Sequence, residues 1–358
     1  MPTHDLIPAA HTIPLHWGWL YFFLILTFYL HILFVNALLG TGLIALFYEF
    51  KPGNKEKNAG ITRILSKKLI FFLAFAVNLG VAALLFLQAL YGQFLYVSSI
   101  LLAVYWLLTV FLLITAYYGA YVYNLRHENL FLSRKFLILG IVLLLLSVAF
   151  IFSNNMSLML RPEKWPEYFN HPGGTFLNLN DPTLLPRYLH FLTASVAVGG
   201  LILAISGKWR KNLSGNIAQS YLNAGMRFFT AATFIQIILG LLFLISLPQK
   251  IIWEFMGGNL LYTTVFIFTL GCSFLLLVLG TLQKLWSSTA TLLLTIMGMV
   301  FMRDFVRSMF LEDYFQLKDL KVDAQYSAFY LFIIALACGT ALIIYMCRKC
   351  LNTSSKEY

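Results

Sequence analysis

The sequence contains nine long runs of apolar residues, and these runs limit the fold more than any other feature. Each run allows a helix of about 20 residues, the length that crosses the roughly 30 Å hydrocarbon layer of a membrane. The chain has 358 residues, of which 60% are hydrophobic and only 11% are charged, whereas about a quarter of the residues of a soluble domain are charged. The long unbroken runs favour helices over the alternating strands of a membrane barrel. The sequence therefore predicts an all-α integral membrane protein.

The apolar runs and the polar linkers between them predict the organisation of the chain. Arg303, Asp304 and Arg307 interrupt the end of the eighth span, which is the least regular. We predict spans at about 17–49, 68–88, 98–123, 136–159, 184–206, 227–248, 258–283, 286–310 and 326–347. We also predict an outer N-terminal segment 1–16, a four-helix bundle 17–159, an outer loop 160–183, a second four-helix bundle 184–310, an outer loop 311–325, and a peripheral ninth helix with a tail, 326–358.

The positions of the basic residues predict the orientation. Most of the 25 Lys and Arg residues lie in the linkers 50–67, 124–135 and 207–227, at Lys284, or in the C-terminal tail. Because Lys and Arg are enriched on the cytoplasmic side, we expect the N-terminus outside, the C-terminus in the cytoplasm, and a location in the cell inner membrane. The basic residues form no domain of their own, so the net charge of +11 does not indicate nucleic-acid binding. The first 16 residues contain no Lys or Arg, which argues against a cleaved signal peptide.

Two histidines lie inside the predicted spans, and their surroundings repeat. His31 in Leu-His-Ile-Leu is followed nine residues later by Gly40, and His190 in Leu-His-Phe-Leu is followed at the same offset by Gly199. They lie in the first and fifth spans, so we predict that a four-helix unit occurs twice. The other histidines lie outside the spans, at His4, His11, His16, His127 and His171.

An imidazole in hydrocarbon requires a partner, so intramembrane histidines are candidate functional residues. For an isolated histidine the simpler explanation is a hydrogen bond between helices. Repeated histidine-bearing bundles without a nearby Cys ligand favour non-covalent haem, because neutral imidazole is a common axial ligand. Small residues such as Gly40 and Gly199 would let a flat ring approach the helix backbone. A proton or ion pathway is the second interpretation.

The first and fifth spans resemble those of subunit I of the cytochrome bd quinol oxidases. Tyr29-Leu-His31-Ile-Leu-Phe-Val-Asn-Ala-Leu-Leu-Gly40, closing at Glu49, is similar to the first helix of that family, His-Phe-Leu-Phe-Val-Pro-Leu-Thr-Leu-Gly with a Glu at the same distance. Arg187-Tyr-Leu-His190 is similar to the Lys-x-x-His sequence of the family's fifth helix, which carries the low-spin haem b ligand. The resemblance implies that His31 and His190 each bind a haem b, both toward the outer half of the membrane.

Two further segments resemble the same family. Phe152-Ser-Asn-Asn155-Met looks like the family's Val-Ala-Asn-Gly stretch near the end of the fourth helix. Asp304-Phe-Val-Arg307 lies where the family has Glu-Tyr-Gly-Arg at the start of its Gly-Arg-Gln-Pro-Trp signature. The number of helices, the predicted outside N-terminus and the order of the motifs match as well. The resemblance implies two haems b, with a third if Asp304 serves as the family's Glu does.

The differences from the family bear on the reaction. The family has paired Glu residues on its third helix near the oxygen-reducing haem, but here no Asp or Glu occurs between Glu56 and Glu128. The long outer loop in which the family oxidises quinol is reduced to about nine residues around Glu254. Reduction of oxygen to water requires delivered protons, so these losses argue against an oxidase.

Two residues are candidate additional ligands of haem iron. Met256, in Trp253-Glu-Phe-Met, would supply a thioether to the His190 haem as the family's Met does; the alternative is a methionine that simply packs at the interface. Thr263 and Thr264 occupy an equally suitable register but are poor ligands. Asp304 matches the family's Glu that coordinates the second high-spin haem; the alternative is an ion pair with Arg303 or Arg307.

Three residues are candidate partners of a cofactor carboxylate. Arg187 lies one turn before His190 and suits a haem propionate, or it extends to the interface as long basic side chains do. The same two interpretations apply to Arg307. Asn155 is expected to donate a hydrogen bond to a propionate or to a quinone carbonyl, or to cap the fourth span.

We therefore expect a membrane b-type cytochrome that carries electrons between the quinone or menaquinone pool and a periplasmic partner, as the electron-transfer subunit of a quinol:acceptor oxidoreductase complex. The chain has no large outer domain, so we expect the partner to be a separate c-type, multihaem cytochrome or another redox subunit that docks on 160–183 and 303–325. A second membrane subunit is a further expected partner. The alternatives are a terminal oxidase of the bd type, a haem-poor membrane anchor or scaffold of a respiratory complex, and a transporter.

Overall fold

The computed structural model describes residues 3–128, 133–170, 172–209 and 215–354. About 85% of the structure is helical, and the described residues form no strand. Within these ranges nine helices are long and apolar enough to cross a membrane, which confirms an all-α, multi-pass membrane fold. The nine are α1 Trp17–Phe50, α2 Lys55–Leu101, α3 Ala103–Leu125, α4 Ser133–Met159, α5 Leu184–Trp209, α6 Gly215–Ile245, α7 Leu260–Thr281, α8 Leu285–Leu311 and α9 Tyr326–Ser354.

Short elements join the long helices. 3₁₀ helices occupy Thr3–Leu6, Pro162–Asn170 and Leu317–Asp319. A short α-helix, Gln249–Trp253, continues into a π turn at Glu254–Gly258 before α7 begins. The N-terminal segment is attached to the connection before α9, where Ile13 forms a parallel bridge with Val322.

Helix α2 differs most from the sequence-based spans. The predicted linkers 50–67 and 89–97 are largely helical, because α2 runs for 47 residues from Lys55 to Leu101. At 1.5 Å per residue this is roughly 70 Å, so α2 extends beyond a bilayer at both ends. A kink at Tyr91, with φ −132° and ψ 29°, lies within the predicted linker 89–97. Hydropathy could not show the extension, because the added turns are amphipathic and are stabilised by burying one face.

Helices α1 and α5 form the centre of the molecule. Helix α1 packs mainly on α2 and α5, and α5 packs mainly on α6. Helix α3 pairs with α4, and α7 pairs with α8. Each central helix also contacts the fourth helix of the other set of four, since α1 contacts α8 and α5 contacts α4. Helix α9 lies at the periphery, and none of its most apolar 18-residue stretch is buried.

The two ends of the bundle differ in character. The end that holds the C-terminus of α1 and the N-termini of α2 and α6 is called the basic end here, because it holds the predicted cytoplasmic linkers. The opposite end holds the N-terminus of α1 and the segment Pro162–Asn170. His31 and His190 both lie on the side of the α1–α5 crossing that faces the opposite end.

Candidate functional site

The two histidine-bearing helices meet at a close crossing of small residues. A Cβ added at Gly40 would overlap the carbonyl oxygen of Ser195, and one added at Gly199 would overlap the backbone of Gly40. The hydroxyl of Ser195 donates to Oδ1 of Asn36 at 2.8 Å. These partners are 159 residues apart in the chain, the same separation as between His31 and His190. Helices α1 and α5 therefore run parallel in matched register, which places both histidines one and a half helical turns or more beyond the crossing at the same level.

This crossing corrects one sequence-based expectation. Gly40 and Gly199 do not leave room for a flat ring, because each fills the space beside the other. Their small size instead lets two helices approach closely, which is the common use of glycine between membrane helices.

His31 faces α2. Its Nδ1 lies 2.9 Å from the carbonyl oxygen of Ala76, so Nδ1 carries the proton in the neutral tautomer that donates this bond. A Cβ at Gly80 would lie only 2.7 Å from the imidazole Cε1, so only glycine allows the ring to lie there unshifted. Nε2 has no hydrogen-bond partner among the described residues. A backbone bond at one ring nitrogen that leaves the other as a lone-pair donor is the usual arrangement of a metal-binding histidine.

His190 occupies the corresponding place against α6. Its Nε2 lies 2.9 Å from the amide nitrogen of Gln236, and a Cβ at Gly240 would lie 3.0 Å from its Cε1. Its Nδ1 and the Oε1 of Gln236 are buried without a hydrogen-bond partner among the described residues. A buried polar atom without a partner costs about 1–3 kcal/mol, so this site would gain from a ligand.

The partners of the two histidines repeat along with the histidines. Ala76 and Gly80 on α2 correspond in position to Gln236 and Gly240 on α6, and the spacing of four residues is the same in both pairs. Tyrosines two residues before each histidine behave alike as well. Tyr29 on α1 donates to the carbonyl of Leu293 on α8. In the same way, Tyr188 on α5 donates to the carbonyl of Leu146 on α4. Sequence reasoning missed Gly80 and Gly240, although their nearly equal spacings from the histidines, 49 and 50 residues, were a usable signal.

One basic side chain, Arg303, lies near His31. The guanidinium of Arg303 stacks on Phe28 at 4.1 Å, and Phe28 lies 6.3 Å from the imidazole of His31 between ring centroids. Arg303 interacts electrostatically with Arg307 and Arg187. No described carboxylate lies within ion-pair distance of Arg303. The site therefore has more positive charge than its own side chains neutralise.

Asp304 and Arg307 are buried together on α8. The Asp304 carboxylate is ion-paired with Arg307, and its other oxygen accepts a hydrogen bond from Tyr21 at 2.6 Å. Arg307 also stacks on Tyr91 at 4.4 Å, yet its Nε and Nη1 have no partner among the described residues. The ion-pair alternative for Asp304 is thus the arrangement present. Arg307 retains donors that an anion would satisfy.

Arg187 belongs to a polar cluster at the opposite end. It donates to the hydroxyl of Thr183 at 2.7 Å, and Thr183 in turn donates to Asp181 at 2.9 Å. Burial alone would raise the pKa of the Asp181 carboxyl. Hydrogen bonds from Ser157 and Thr183, with the charge of Arg161, instead hold its pKa below the ordinary value. This cluster ties the start of α5 to the end of α4.

Asn155 and Met256 lie in different surroundings from those expected. Both amide atoms of Asn155 have partners on α2: Oδ1 accepts from Ser98 at 2.7 Å, and Nδ2 donates to Ser99 at 3.0 Å. Asn155 thus joins two helices, a role that neither expectation named.

Met256 lies in the π turn, and half of its surface is exposed. Its segment packs mainly on α7 and on Gln249–Trp253, so its ligation of a haem stays a prediction.

The other histidines that the structure describes lie away from this pair. The Nδ1 of His16 accepts from the amide of Gly18 at 3.1 Å and caps α1, and His11 is exposed. His171 lies outside the described residues. Among the residues that the structure describes, no three His, Cys, Asp or Glu side chains form a metal-binding group.

A second buried polar group lies at the basic end, and the sequence did not reveal it. Glu49, 6% exposed, accepts a hydrogen bond from Tyr123 at 3.0 Å and is ion-paired with Arg134 at 2.7 Å. His127 lies 4.0 Å from the same carboxylate and hydrogen-bonds with Thr62 at 3.1 Å. The ends of α1, α2, α3 and α4 therefore meet around Glu49. In the sequence, Glu49 stood out only because the related family has a Glu at the same distance from its histidine.

The residues around the histidines fit a haem in three respects. Each ring lies in a space that a Cβ would fill, each ring has a nitrogen that no described side chain uses, and Arg303 lies near His31 without a carboxylate partner among the described residues. One respect is less favourable, because Gln236 already occupies Nε2 of His190. Rotation of that ring, or of the Gln236 amide, would be needed to present Nε2.

Comparison with models of known protein families finds no match, and comparison with curated protein sequences finds no significant match. The resemblance to the bd-type oxidases therefore rests on the quoted motifs alone.

Proposed function

We propose that this chain is a membrane b-type cytochrome subunit that transfers electrons between the quinone pool and a periplasmic c-type cytochrome. The observation that carries the proposal is the matched pair of histidines. His31 and His190 lie at equivalent positions of parallel helices, each against a glycine of the next helix, and each with an unused ring nitrogen. A histidine that served only to join helices would not need the free nitrogen.

Each candidate residue has a role in this proposal. His31 and His190 would bind iron. Arg307, with two guanidinium nitrogens that lack partners among the described residues, and Arg303, which has no carboxylate partner there, would hold propionates. Bound haem b supplies a one-electron couple. The surrounding Phe28, with the apolar faces of α1 and α2, would exclude water from the His31 side. Met256 and Asp304 are secondary candidates for iron ligands.

Electron transfer fits the chain better than oxygen reduction. Passing electrons between cofactors requires positioning, ligation and a suitable dielectric, but no acid–base side chains. Helix α3 contains no Asp or Glu, and both oxygens of Asp304 are already engaged by Tyr21 and Arg307. The proposal further includes a duplicated four-helix unit, an outside N-terminus and a location in the inner membrane. The partner would dock on the outer segments 160–183 and 303–325.

A haem-free anchor is the second candidate, and one observation favours it. Gly80 and Gly240 already contact the two imidazoles, so each ring has a well-packed place without a ligand. In that case the histidines would only join helices, and the chain would serve as a scaffold in a respiratory complex.

Haem content of the purified chain tests the proposal. We expect a dithionite-reduced minus oxidised spectrum of b type, with about two haems per chain and little response to carbon monoxide. His31→Ala and His190→Ala should each remove one haem. His11→Ala is the matched control, because His11 is exposed and lies outside the helices.

The spectrum separates the three candidates. A strong carbon monoxide shift would indicate an oxidase, and no chromophore would indicate the anchor. Full haem content in both intramembrane variants would show that the ligand assignment is wrong even if the chain is a cytochrome.

A further inference from the structure

A groove opens at the basic end, far from the histidine pair. Its volume is about 640 Å³. It lies between the C-terminus of α1, the first turn of α2 and the first half of α6. Its lining is polar and basic at one side and aromatic at the other, and consists of Phe47, Tyr48, Lys51, Lys57, Asn216, Gln219, Ser220, Asn223, Ala224, Arg227, Phe228 and Ala231.

The charge of the groove is positive and not neutralised by the chain. Lys51, Lys57 and Arg227 line it, and the lining contains no Asp or Glu. In the described ranges none of the three has a carboxylate within 4.0 Å. Lys51 instead lies over the rings of Phe47 and Tyr48, at 5.5 and 5.2 Å from their centroids. Three exposed cations on one concave surface favour an anionic ligand.

The backbone adds to this preference. Helix α2 begins at Lys55 and α6 at Gly215, and the first two turns of both contribute lining residues. The N-terminus of a helix carries a partial positive charge and amide donors, which favour phosphate groups. At α2 the amide of Lys57 already donates to Oδ1 of Asn54 at 2.9 Å, so the helix contributes its partial charge and not that donor. The hydroxyl of Ser220 is a further donor, since its Oγ is buried without a partner among the described residues.

The groove also has an apolar side, which a small inorganic anion would not use. Along one face of α6 the lining changes from Asn216 and Gln219, through Arg227, to Phe228 and Ala231. Phe47 on α1 faces the same space and is 47% exposed. A ligand that matches this gradient carries a charged head and a hydrocarbon tail, and basic pockets between membrane helices commonly bind such lipids.

We infer that this groove binds an anionic phospholipid. Its phosphodiester would lie among Lys51, Lys57 and Arg227, and the start of an acyl chain would lie along Phe47 and Phe228. The inference does not depend on haem binding, because none of these residues contacts the histidine site.

Binding of added phospholipid to the purified chain tests the site. The full chain, delipidated in neutral detergent, is titrated with phosphatidylglycerol or phosphatidylcholine and examined by native mass spectrometry and thermal unfolding. The test variant is Lys51→Gln/Lys57→Gln/Arg227→Gln. The control variant is Arg126→Gln/Lys135→Gln/Lys208→Gln, which removes three exposed cations from the same end of the bundle but none from the groove.

We expect wild type and control to bind one phosphatidylglycerol in preference to phosphatidylcholine, and the test variant to bind it at least about tenfold more weakly. Equal binding by the test and control variants would overturn the site. The same stabilisation by inorganic phosphate alone would overturn the lipid, since it would show that the apolar side contributes nothing. Because all six substituted residues are exposed, unfolding temperatures in phosphatidylcholine should stay unchanged.

Discussion

At the residue scale, burial separates histidines of the same chemical type into different roles. His31 and His190 each combine one hydrogen-bonded ring nitrogen with a glycine against the ring. His16 has a capping role at the surface, and His127 is enclosed by polar groups. The sequence identified the first two because they stand in apolar runs. It could not identify His127, because the residues that surround it come from the ends of four helices.

His127 predicts how stability depends on pH. Its burial, with the nearby charge of Arg134, lowers the pKa of the imidazole from 6.5 to about 4, although Glu49 acts in the opposite direction. Above pH 6.5 the ring is neutral in both the folded and the unfolded chain. As the pH falls from 6.5 to about 4, the unfolded chain binds a proton that the folded chain does not, so the free energy of unfolding should fall by about 2–3 kcal/mol.

Thermal unfolding in detergent between pH 7.5 and 4.5 measures this effect. His127→Gln removes the titrating group while leaving an amide that hydrogen-bonds with Thr62. The variant should lose less stability than wild type over the stated interval. Parallel losses in the two proteins would show that other groups determine the acid sensitivity.

At the element scale, the crossing of α1 and α5 determines where everything else lies. Asn36 with Ser195, and Gly40 with Gly199, hold the two helices parallel and in register. The repeat in the sequence predicted two related helices but not that they pack directly on each other. That outcome depends on which small faces meet, and periodicity along one helix contains no information about its partner.

Gly40→Ala should destabilise the protein strongly. The new Cβ would overlap the Ser195 carbonyl, which belongs to backbone and cannot move without shifting α5. Overpacking typically costs about 1–3 kcal/mol, and an overlap with backbone belongs at the upper end of that range. The better helix propensity of alanine returns about 1 kcal/mol, so we expect a net loss of about 2 kcal/mol. The measurement is thermal unfolding against Gly271→Ala on α7, where nothing lies within 4 Å of the added Cβ. Equal unfolding temperatures for the two variants would contradict the close crossing.

At the scale of the whole molecule, charge differs between the two ends. The basic end carries most Lys and Arg residues and the open groove, whereas the opposite end carries paired acids and bases such as Lys250 with Glu312. Glu312 and Asp313 raise the pKa of Lys250 above its ordinary value. Such asymmetry is what a chain needs to be inserted in one orientation.

Labelling tests the predicted orientation. In a background without cysteine, Lys318→Cys and Lys208→Cys place single thiols at exposed positions on opposite ends. In right-side-out vesicles, an impermeant maleimide should label Lys318→Cys about tenfold more than Lys208→Cys, because Lys and Arg are retained on the cytoplasmic side. The reverse ratio would invert the topology and place the groove outside.

The order of residues along the chain was enough to predict the fold class, the nine membrane-crossing helices of the described residues and the two histidines inside them, but not the full length of α2. A helix that crosses the hydrocarbon layer must be about 20 residues long and must contain few polar side chains. Both properties are visible in the sequence of one chain. The packing of the helices was needed to see what the histidines contact, that Gly40 and Gly199 pack together, and that Lys51, Lys57 and Arg227 share one groove. Those relations join residues far apart in the chain. They follow from the way the faces of different helices pack. That packing depends on the three-dimensional shapes of the helix surfaces and not on the order of residues along the chain.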